Sequence, residues 1–224
     1  MRGLLFSQML PPPGQQADFD DWYANEHIPA RIALPGFEAA HRYAGRDPEH
    51  RHLACYFLRD MAELDSPAYR RLKSDPGERT ARMLATVSGF TRYIADEISD
   101  TGQTNTRPGL LQAVAFAVPD EAEDQFEDWY EGEHVPLLMA ADSWLRVRRY
   151  RVRPGGDGPA WTHLALHDLA GAHALDSPER AKARDTERRA ALAAQPWFAT
   201  GDRWLYTPIS RVVNADPGPV DIRS

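Results

Sequence analysis

The 224-residue chain has a single cysteine, Cys55, which excludes an intrachain disulfide and a zinc site built from several thiolates. Cys55 lies in an apolar run, so we expect a buried and unreactive thiol. Apolar runs stay well short of the roughly 20 residues that a membrane-spanning helix requires. Positive charge is also in deficit, and the net charge of −7 argues against nucleic acid as a partner.

Targeting and nucleotide-binding signals are equally scarce. The apolar segment within residues 1–6 is too short for a secretory signal and no small-residue cleavage site follows it, so we expect a cytoplasmic protein. The glycine-rich stretch 154–159 precedes a strand pattern rather than a helix, which indicates a hairpin turn and not a phosphate-binding loop. A Gly-x-Ser-x-Gly nucleophile elbow does not occur.

The chain instead contains one motif twice, at residues 20–29 and 127–136. The copies read DDWYANEHIP and EDWYEGEHVP, with tryptophan, tyrosine, glutamate, histidine and proline at identical spacing. Matches continue on both sides of the motif, which predicts two similar structural units. We place these units at residues 1–100 and 107–212, with a polar link between them and a tail over residues 213–224.

Hydrophobic patterns predict the same order of elements, βαββαβ, in both halves. Strands are predicted in the first half at 3–9, 37–43, 53–58 and 90–98, with helices starting near Asp18 and Ser66 and a turn at Asp47–His50. Strands are predicted in the second half at 110–118, 145–152, 161–166 and 203–208, with helices over 122–140 and 178–194. Pro29 disfavours helical geometry at Ile28, which predicts a loosened helical turn beside His27.

This element order is that of the ferredoxin-like fold, in which two helices cover one face of a four-stranded sheet. The other face also needs a covering layer, and a short link brings the two halves together. We therefore predict an α+β fold in which two ferredoxin-like βαββαβ repeats pack sheet on sheet as a dimeric α/β barrel within one chain. Such a barrel is complete in one chain, so a monomer and a homodimer are both open.

The repeated motif resembles the EthD-like families of the dimeric α/β-barrel superfamily. Their signature is present at Trp22-Tyr23, His27-Ile28-Pro29, Leu34-Pro35-Gly36 and Arg42-Tyr43. The second half keeps every part except the Leu-Pro-Gly, where it has Ala141-Asp142-Ser143. The resemblance covers nearly the whole chain and implies the fold. Relatives include polyketide cyclases, dehydratases, cofactor-free monooxygenases, haem enzymes and proteins without known activity, so no single reaction is implied.

The motif supplies the candidates for catalysis. Tyr23 and His27 lie four residues apart and therefore share a helix face, and Tyr130 and His134 repeat the arrangement. A neutral imidazole beside a phenol is a suitable acid–base pair near neutral pH. We take these four residues as the catalytic candidates. The alternative is that the histidines brace helix ends and the tyrosines belong to the core.

Other polar and aromatic residues near the motif are candidates for substrate binding. Glu26 and Glu133 adjoin the histidines in sequence and lie about 100° around the helix, toward a neighbouring strand or solvent. Trp22 flanks Tyr23, although packing is its expected main role. The six candidates for substrate binding are Trp22, Glu26, Tyr43, His52, Glu133 and His163.

The third strand of each half carries a polar face. His52 and Tyr56 share one side of that strand, which lines either the space between sheet and helices or the barrel interior. The opposite side suits the helix layer and carries Leu53, Cys55 and Phe57. His163 and His167 match this polar side in the second half, but no carboxylate stands at a fixed spacing for a metal site. We therefore expect neither a metal nor an organic cofactor.

These features favour a cofactor-independent enzyme that uses a His–Tyr pair for cyclisation, dehydration or isomerisation of an aromatic or polyketide-like substrate. A monooxygenase, cofactor-free or haem-dependent, and a non-catalytic ligand-binding protein of a metabolic pathway are the alternatives. We expect unequal halves, because only the first keeps Leu34-Pro35-Gly36, because it has His41 where the second has Arg148, and because Trp144 is bulky enough to fill the second pocket. The pocket around His27 is therefore the predicted active site.

Overall fold

The computed structural model describes residues 1–47, 51–103 and 107–215. Eight antiparallel strands in these residues form one closed barrel in the order β1-β3-β2-β8-β5-β7-β6-β4. The strands are β1 Gly3–Leu10, β2 Phe37–Gly45, β3 His52–Leu58, β4 Ser88–Gly102, β5 Leu110–Phe116, β6 Trp144–Val152, β7 His163–Leu169 and β8 Asp202–Val213. Each half supplies four neighbouring strands, so the predicted barrel of two βαββαβ units is confirmed.

Helices of each half pack on the outer face of that half's strands. The α-helices are α1 Gln16–Trp22, α2 Ile28–Ile32, α3 Pro67–Ser74, α4 Glu78–Thr86, α5 Glu123–Trp129, α6 Val135–Met139, α7 Pro178–Arg184, α8 Glu187–Ala193 and α9 Pro196–Ala199. Short 3-10 turns occupy Met61–Asp65, Asp120–Ala122 and Ala172–Asp176. The prediction of one continuous helix over 178–194 was wrong. Thr186 has an extended backbone, and its hydroxyl caps α8 by accepting a hydrogen bond from the backbone N–H of Arg189.

Strands β4 and β8 are longer than predicted because their ends cross from one half to the other. The end of β4 pairs with β6 from Ala95 to Gly102, and the end of β8 pairs with β2 as far as Val213. The predicted polar link over residues 100–106 therefore begins as strand. These ends are largely exposed and lack an apolar run, so the sequence pattern did not show them as strand. Pairing with the other half satisfies their backbone hydrogen bonds.

The barrel interior is a shared apolar core to which strands of both halves contribute. Leu53 and Cys55 point into this core, whereas Ala54 and Tyr56 lie under the helices of the first half. The prediction that the apolar side of β3 faces the helices was therefore wrong. The barrel interior takes the more apolar side of β3 instead. Cys55 is a buried free cysteine, as predicted, and burial raises the pKa of its thiol.

Parts of three predicted segments lie outside the described residues: 48–50 of the turn, 104–106 of the link and 216–224 of the tail. The first residues of the tail are described. Asn214 continues from β8, and its backbone N–H donates to the backbone carbonyl oxygen of Glu38 at 2.9 Å. Its side-chain amide donates to the oxygen of Phe37 at 3.0 Å. The start of the tail is thus attached to β2.

Candidate functional site

The repeated motif forms a π-helical turn in each half, at Tyr23–His27 and Tyr130–His134. The backbone N–H of Ile28 donates to the backbone carbonyl oxygen of Tyr23, five residues earlier. The backbone N–H of Val135 donates to the carbonyl oxygen of Tyr130 in the same way. The proline that follows in each half has no N–H, so the next helical hydrogen bond is missing as well. The turn beside His27 is widened, as predicted, although Ile28 itself keeps helical backbone angles, φ −70° and ψ −51°. Such π-helical turns are frequent at functional sites.

An arginine from the sheet braces each π-helical turn. Arg42 donates to Asp20 at 2.7 Å, and its guanidinium lies 4.2 Å from the centre of the Tyr23 ring. Arg149 donates to Glu127 at 2.7 Å and lies 4.5 Å from the ring of the matching tyrosine. The arginine of the Arg-Tyr pair therefore joins sheet and motif helix through a charged hydrogen bond and a cation–π contact.

A cavity of 360 Å³, here called the first cavity, lies between the sheet and the helices of the first half. His27 lines it from the π-helical turn and Tyr56 lines it from β3, with ring centres 6.5 Å apart. Its apolar walls are formed by Leu5, Met9, Leu72, Leu84 and Phe90. This volume and lining are typical of sites for small, largely apolar molecules.

Two residues that line the first cavity each carry one buried polar atom without a hydrogen-bond partner in the described part of the chain. Nδ1 of His27 and the hydroxyl of Tyr56 are buried without a hydrogen-bond partner among the described residues. Burial, with Arg31 and Arg42 contributing, lowers the pKa of His27 well below its usual value, so the imidazole is neutral. Burial raises the pKa of Tyr56 to about 12, so its hydroxyl keeps its proton. Unsatisfied buried groups of this kind call for an explanation, and a ligand that completes their hydrogen bonds is one.

Tyr23 and Trp22 contact His27 without lining the first cavity. The Tyr23 hydroxyl donates to the sulfur of Met9 at 3.6 Å, while its ring meets the His27 ring edge-on at 5.0 Å. Trp22 donates from Nε1 to the hydroxyl of Thr80 at 2.9 Å, and its ring centre lies 4.2 Å from that of His27. Both aromatic residues thus hold the imidazole in place, and the phenols that line the first cavity are those of Tyr56 and Tyr69.

The remaining candidates of the first half are dispersed. Glu26 lines the first cavity and accepts from Arg79 at 2.7 Å. His52 packs against the Phe19 ring with centres 5.5 Å apart and does not line that cavity. Tyr43 points into the barrel interior and lines a separate cavity of 370 Å³ at one end of the barrel. Only Glu26 therefore shares a site with His27.

The equivalent space in the second half, here called the second cavity, has a volume of 180 Å³. Trp144, Tyr130 and His167 line it and form a hydrogen-bonded chain. The indole of Trp144 donates to Nδ1 of His167 at 3.1 Å, and Nε2 of His167 lies 2.8 Å from the Tyr130 hydroxyl. Burial lowers the pKa of His167 to about 3. The neutral ring accepts at Nδ1 and so donates from Nε2 to Tyr130.

His134 also lines the second cavity. Its Nδ1 lies 3.2 Å from the oxygen of Ala183, which can only accept, so Nδ1 carries the ring proton. Burial lowers the pKa of His134 to about 4, which leaves Nε2 as an acceptor at neutral pH. Glu133 accepts instead from Thr186 at 2.6 Å, outside the cavity lining.

His163 lies away from the second cavity as well. Its Nε2 is 3.2 Å from the Glu127 carboxylate but lacks hydrogen-bond geometry, and its Nδ1 is 2.8 Å from the hydroxyl of Thr162. Burial lowers the pKa of His163, although Glu127 opposes this. These contacts give His163 a role in bracing β7 against α5.

Two of the sequence differences between the halves act away from the cavities. Both halves make the turn into the second strand at the same place, since β2 begins at Phe37 and β6 at Trp144. Loss of the Leu-Pro-Gly therefore leaves the course of the chain unchanged. His41 and Arg148 line a fourth space, of 190 Å³. That exchange shapes neither helix-side cavity, so it does not bear on which half is active.

Sequence reasoning passed over several groups on the first cavity, among them Tyr56 and Asp157. Strand alternation put Tyr56 on the same side of β3 as His52 but left open whether that side faces the helices or the barrel interior, and Tyr23 was the tyrosine chosen with His27. Asp157 also lines the first cavity, although it belongs to the glycine-rich turn of the second half. It is held there by paired backbone hydrogen bonds with Arg92 at 2.8 and 2.9 Å. A contact between halves has no local sequence signal.

No group of three or more His, Cys, Asp and Glu side chains in the described residues is arranged to hold a metal ion. Within the same residues, the helices are too short or too polar to cross a membrane.

Known proteins resemble this chain in structure rather than in sequence. No protein-family model and no curated protein matches it. An anthrone oxidase-like protein superposes with a TM-score of 0.71 at 10% identity, over 99% of this chain and 96% of its own. Candidate monooxygenases from Fusobacterium nucleatum and Lactobacillus acidophilus give TM-scores of 0.63 and 0.62, each at 8% identity, over 95% of this chain and 94% and 96% of theirs. The chain therefore has the dimeric α/β barrel fold.

Proposed function

We propose that this chain is a small-molecule enzyme that moves a proton on an aromatic or polyketide-like substrate bound in the first cavity. The observation that carries the proposal is the pair of buried, unpaired polar groups on residues that line a space with both apolar and charged walls, Nδ1 of His27 and the hydroxyl of Tyr56. An unsatisfied buried polar group destabilises the folded state by about 1–3 kcal/mol, and apolar packing around it does not replace the missing hydrogen bond. The proposed reaction is a cyclisation, dehydration or isomerisation and needs no cofactor.

His27 is the proposed base. Its neutral imidazole accepts a proton from an acidic C–H or O–H group of the substrate. An isolated imidazolium is unfavourable in this buried place, so the transfer is favourable only while the substrate anion stays beside it. Tyr56 donates a hydrogen bond to the oxygen of that anion, and Lys73 and Arg92 add positive charge at the cavity wall. Return of the proton to a different substrate atom completes the reaction.

A cofactor-free oxygenase is the second candidate, and the likeness to an anthrone oxidase-like protein favours it. Removal of a proton from anthrone gives an enolate, which molecular oxygen can oxidise. The balanced reaction converts anthrone and O₂ to anthraquinone and water. Both candidates therefore share their first step and differ in whether oxygen is consumed.

Anthrone in D₂O under nitrogen tests the shared step, because NMR follows exchange of its acidic C–H group for deuterium. His27→Ala should slow the catalysed exchange by about 10²–10⁴-fold, the usual effect of a positioned acid or base. His134→Ala is the matched control, since it removes the equivalent residue of the other half, and it should leave the rate within about threefold. Circular dichroism checks that both variants fold. If His134→Ala abolishes exchange and His27→Ala does not, the wrong half has been chosen; if neither matters, the histidines are structural.

A second pair of variants separates the two tyrosines. Tyr56→Phe removes the hydroxyl on the first cavity and should slow exchange by about 10²-fold or more, the effect of losing a donor to a developing oxyanion. Tyr23→Phe removes the hydroxyl that donates to Met9 and should change the rate little. Because His27 is already deprotonated, the rate should be flat between about pH 6 and pH 8. If Tyr23→Phe slows exchange and Tyr56→Phe does not, Tyr23 and not Tyr56 is the hydrogen-bond donor.

Other readouts decide among the alternatives. Oxygen uptake in air, measured with an electrode, identifies the oxygenase. A Soret band in the visible spectrum of the purified protein identifies a haem-dependent monooxygenase. Calorimetric binding of anthrone without exchange or oxygen uptake identifies a non-catalytic binding protein.

We also propose that the chain is an EthD-like protein that arose by tandem duplication, with units at residues 1–100 and 107–212. The support is the shared π-helical turn and its arginine brace, which recur at matching positions in both halves. A cytoplasmic location and a monomeric or homodimeric state complete this proposal. Sedimentation of the purified chain measures the state of assembly.

A further inference from the structure

The second cavity is lined by four cationic side chains and, among the described residues, by no carboxylate: Arg180, Arg184, Arg189 and Arg203. None of them forms an ion pair within the described part of the chain. Arg180 and Arg189 donate only to backbone oxygens, those of Leu175 and Arg184. Arg203 lies against the ring of Phe116, with its guanidinium 5.5 Å from the ring centre.

This arrangement differs from that of the fully buried arginines elsewhere in the protein. Arg42, Arg148 and Arg149 each pair with a carboxylate. Around the second cavity, burial lowers the pKa of Arg180, Arg189 and Arg203, and the charge of Arg184 contributes in all three cases. Asp176 and Asp202 partly offset the charges of Arg180 and Arg203, and Arg184 and Arg203 are exposed, so the repulsion among the four arginines is reduced but no ion pair within the described residues cancels it. Of the two helix-side cavities, only the second is lined by cationic side chains with no carboxylate among the described residues.

Residues that line the same cavity also carry neutral hydrogen-bonding groups of both kinds: Oε1 of Gln112 is a buried acceptor without a partner among the described residues, and two donors accompany it. Nε1 of Trp129 is buried without a partner among the described residues, and Trp129 is 2% exposed. The matching Trp22 of the first half donates to Thr80 instead. Nε2 of His167 donates to the hydroxyl oxygen of Tyr130. The hydroxyl proton of Tyr130 is therefore free to be donated elsewhere. A buried, unpaired N–H on a cation-lined cavity indicates that an acceptor belongs there.

We propose that the second cavity binds the anionic group, a carboxylate or a phosphate, of a small molecule. The arginines provide the positive charge, and Trp129 and Tyr130 donate the hydrogen bonds that position the anion. The first cavity is built differently, since Glu26 and Asp157 stand on its wall. The two halves therefore select different ligands, and the anion site does not depend on the chemistry proposed for His27.

Calorimetry with benzoate and with inorganic phosphate, in a buffer that contains chloride as its only anion, tests this site. At least one of the two probes should bind at a single site, and the relative affinities show which anionic group is preferred. Arg180→Gln and Arg184→Gln should each weaken that binding by about tenfold or more. Arg188→Gln is the matched control, because it removes the same charge from α8 and does not line the cavity; it should change the affinity by less than about twofold.

NMR of the unchanged protein locates the probe without relying on a variant that folds. The indole N–H signal of Trp129 should shift as the bound probe saturates, while that of Trp22 stays in place. The proposal is overturned if neither probe binds below about 10 mM. It is also overturned if Arg188→Gln weakens binding as much as Arg180→Gln does, or if the Trp129 signal does not move during binding.

Discussion

Replacing Asp168 by asparagine should destabilise the barrel strongly, because this carboxylate neutralises a buried arginine. Asp168 accepts from Arg148 at 2.8 Å, and the two side chains are 11% and 3% exposed. The guanidinium of Arg148 also lies 4.4 Å from the ring centre of Phe57, which belongs to the other half. Arginine stays charged in proteins, so Asp168→Asn leaves an uncompensated cation inside the barrel.

The expected size follows from this burial. Removing one partner of a buried ion pair costs about 3–5 kcal/mol. Asp168 lines the cavity at the barrel end, where water can hydrate part of the charge, so we expect the lower figure of about 3 kcal/mol. For a chain of about this length, 1 kcal/mol shifts the melting temperature by about 2–4 °C, which gives a fall of about 6–12 °C.

Urea and thermal unfolding, followed by circular dichroism, measure the effect. Asp96→Asn is the matched control: Asp96 pairs with Arg153 at 2.7 Å, but the side chains are 22% and 42% exposed, so the loss should stay below about 1 kcal/mol. The double variant Asp168→Asn/Arg148→Met should recover most of the stability, because apolar side chains replace a buried pair well. A loss below about 1 kcal/mol for Asp168→Asn, or a double variant no more stable than the single one, would refute the reasoning.

Two further predictions concern stability. Gly36→Ala should cost about 1–2 kcal/mol in urea unfolding, because Gly36 has a φ of +51° and a Cβ there would lie 2.8 Å from the Cβ of Glu63. Gly14→Ala, at a φ of +75° with open space, should cost less, and equal losses would show that crowding is unimportant. The folded-state pKa values of His134 and His167, about 4 and about 3, lie below that of the unfolded chain, so the unfolded state binds more protons. Stability is therefore full above about pH 6.5 and falls as the pH drops toward 4, by about 1.4 kcal/mol per pH unit for each histidine; imidazolium signals for either residue in ¹⁵N NMR of the folded protein at pH 5.5 would contradict this.

Much of the fold followed from the sequence because its strongest signal was local and repeated. Apolar residues that alternate along a strand or recur along a helix report the element directly, and a motif that occurs twice indicates two units of the same kind. The loosened turn at His27 followed from Pro29 in the same way, since a proline acts on the residues beside it. The helix break at Thr186 was missed because its capping hydroxyl competes with helix continuation only in context.

The candidate site was predicted in part. His27 and Glu26 do line the first cavity, since a helical spacing places both near the same end of the motif helix. Tyr23 shares the helix with His27, yet its hydroxyl is directed to Met9 under the helix, and Tyr56 from β3 takes the place on the cavity. A helix-face argument states which residues are neighbours, but it does not state which of them faces a space left by the sheet.

By itself, the sequence determined the order of the elements, the two-unit barrel and the position of the π-helical turn. Only the tertiary structure decided which side of β3 faces the helices, how far β4 and β8 extend into the other half, and that Asp157 reaches the first cavity. It also brought together the four arginines of the second cavity, which come from α7, α8 and β8. The physical reason is the range of the interactions: helix and strand periodicity act over a few residues, whereas barrel closure pairs strands that are far apart in the chain and thereby determines which faces, charges and cavities meet.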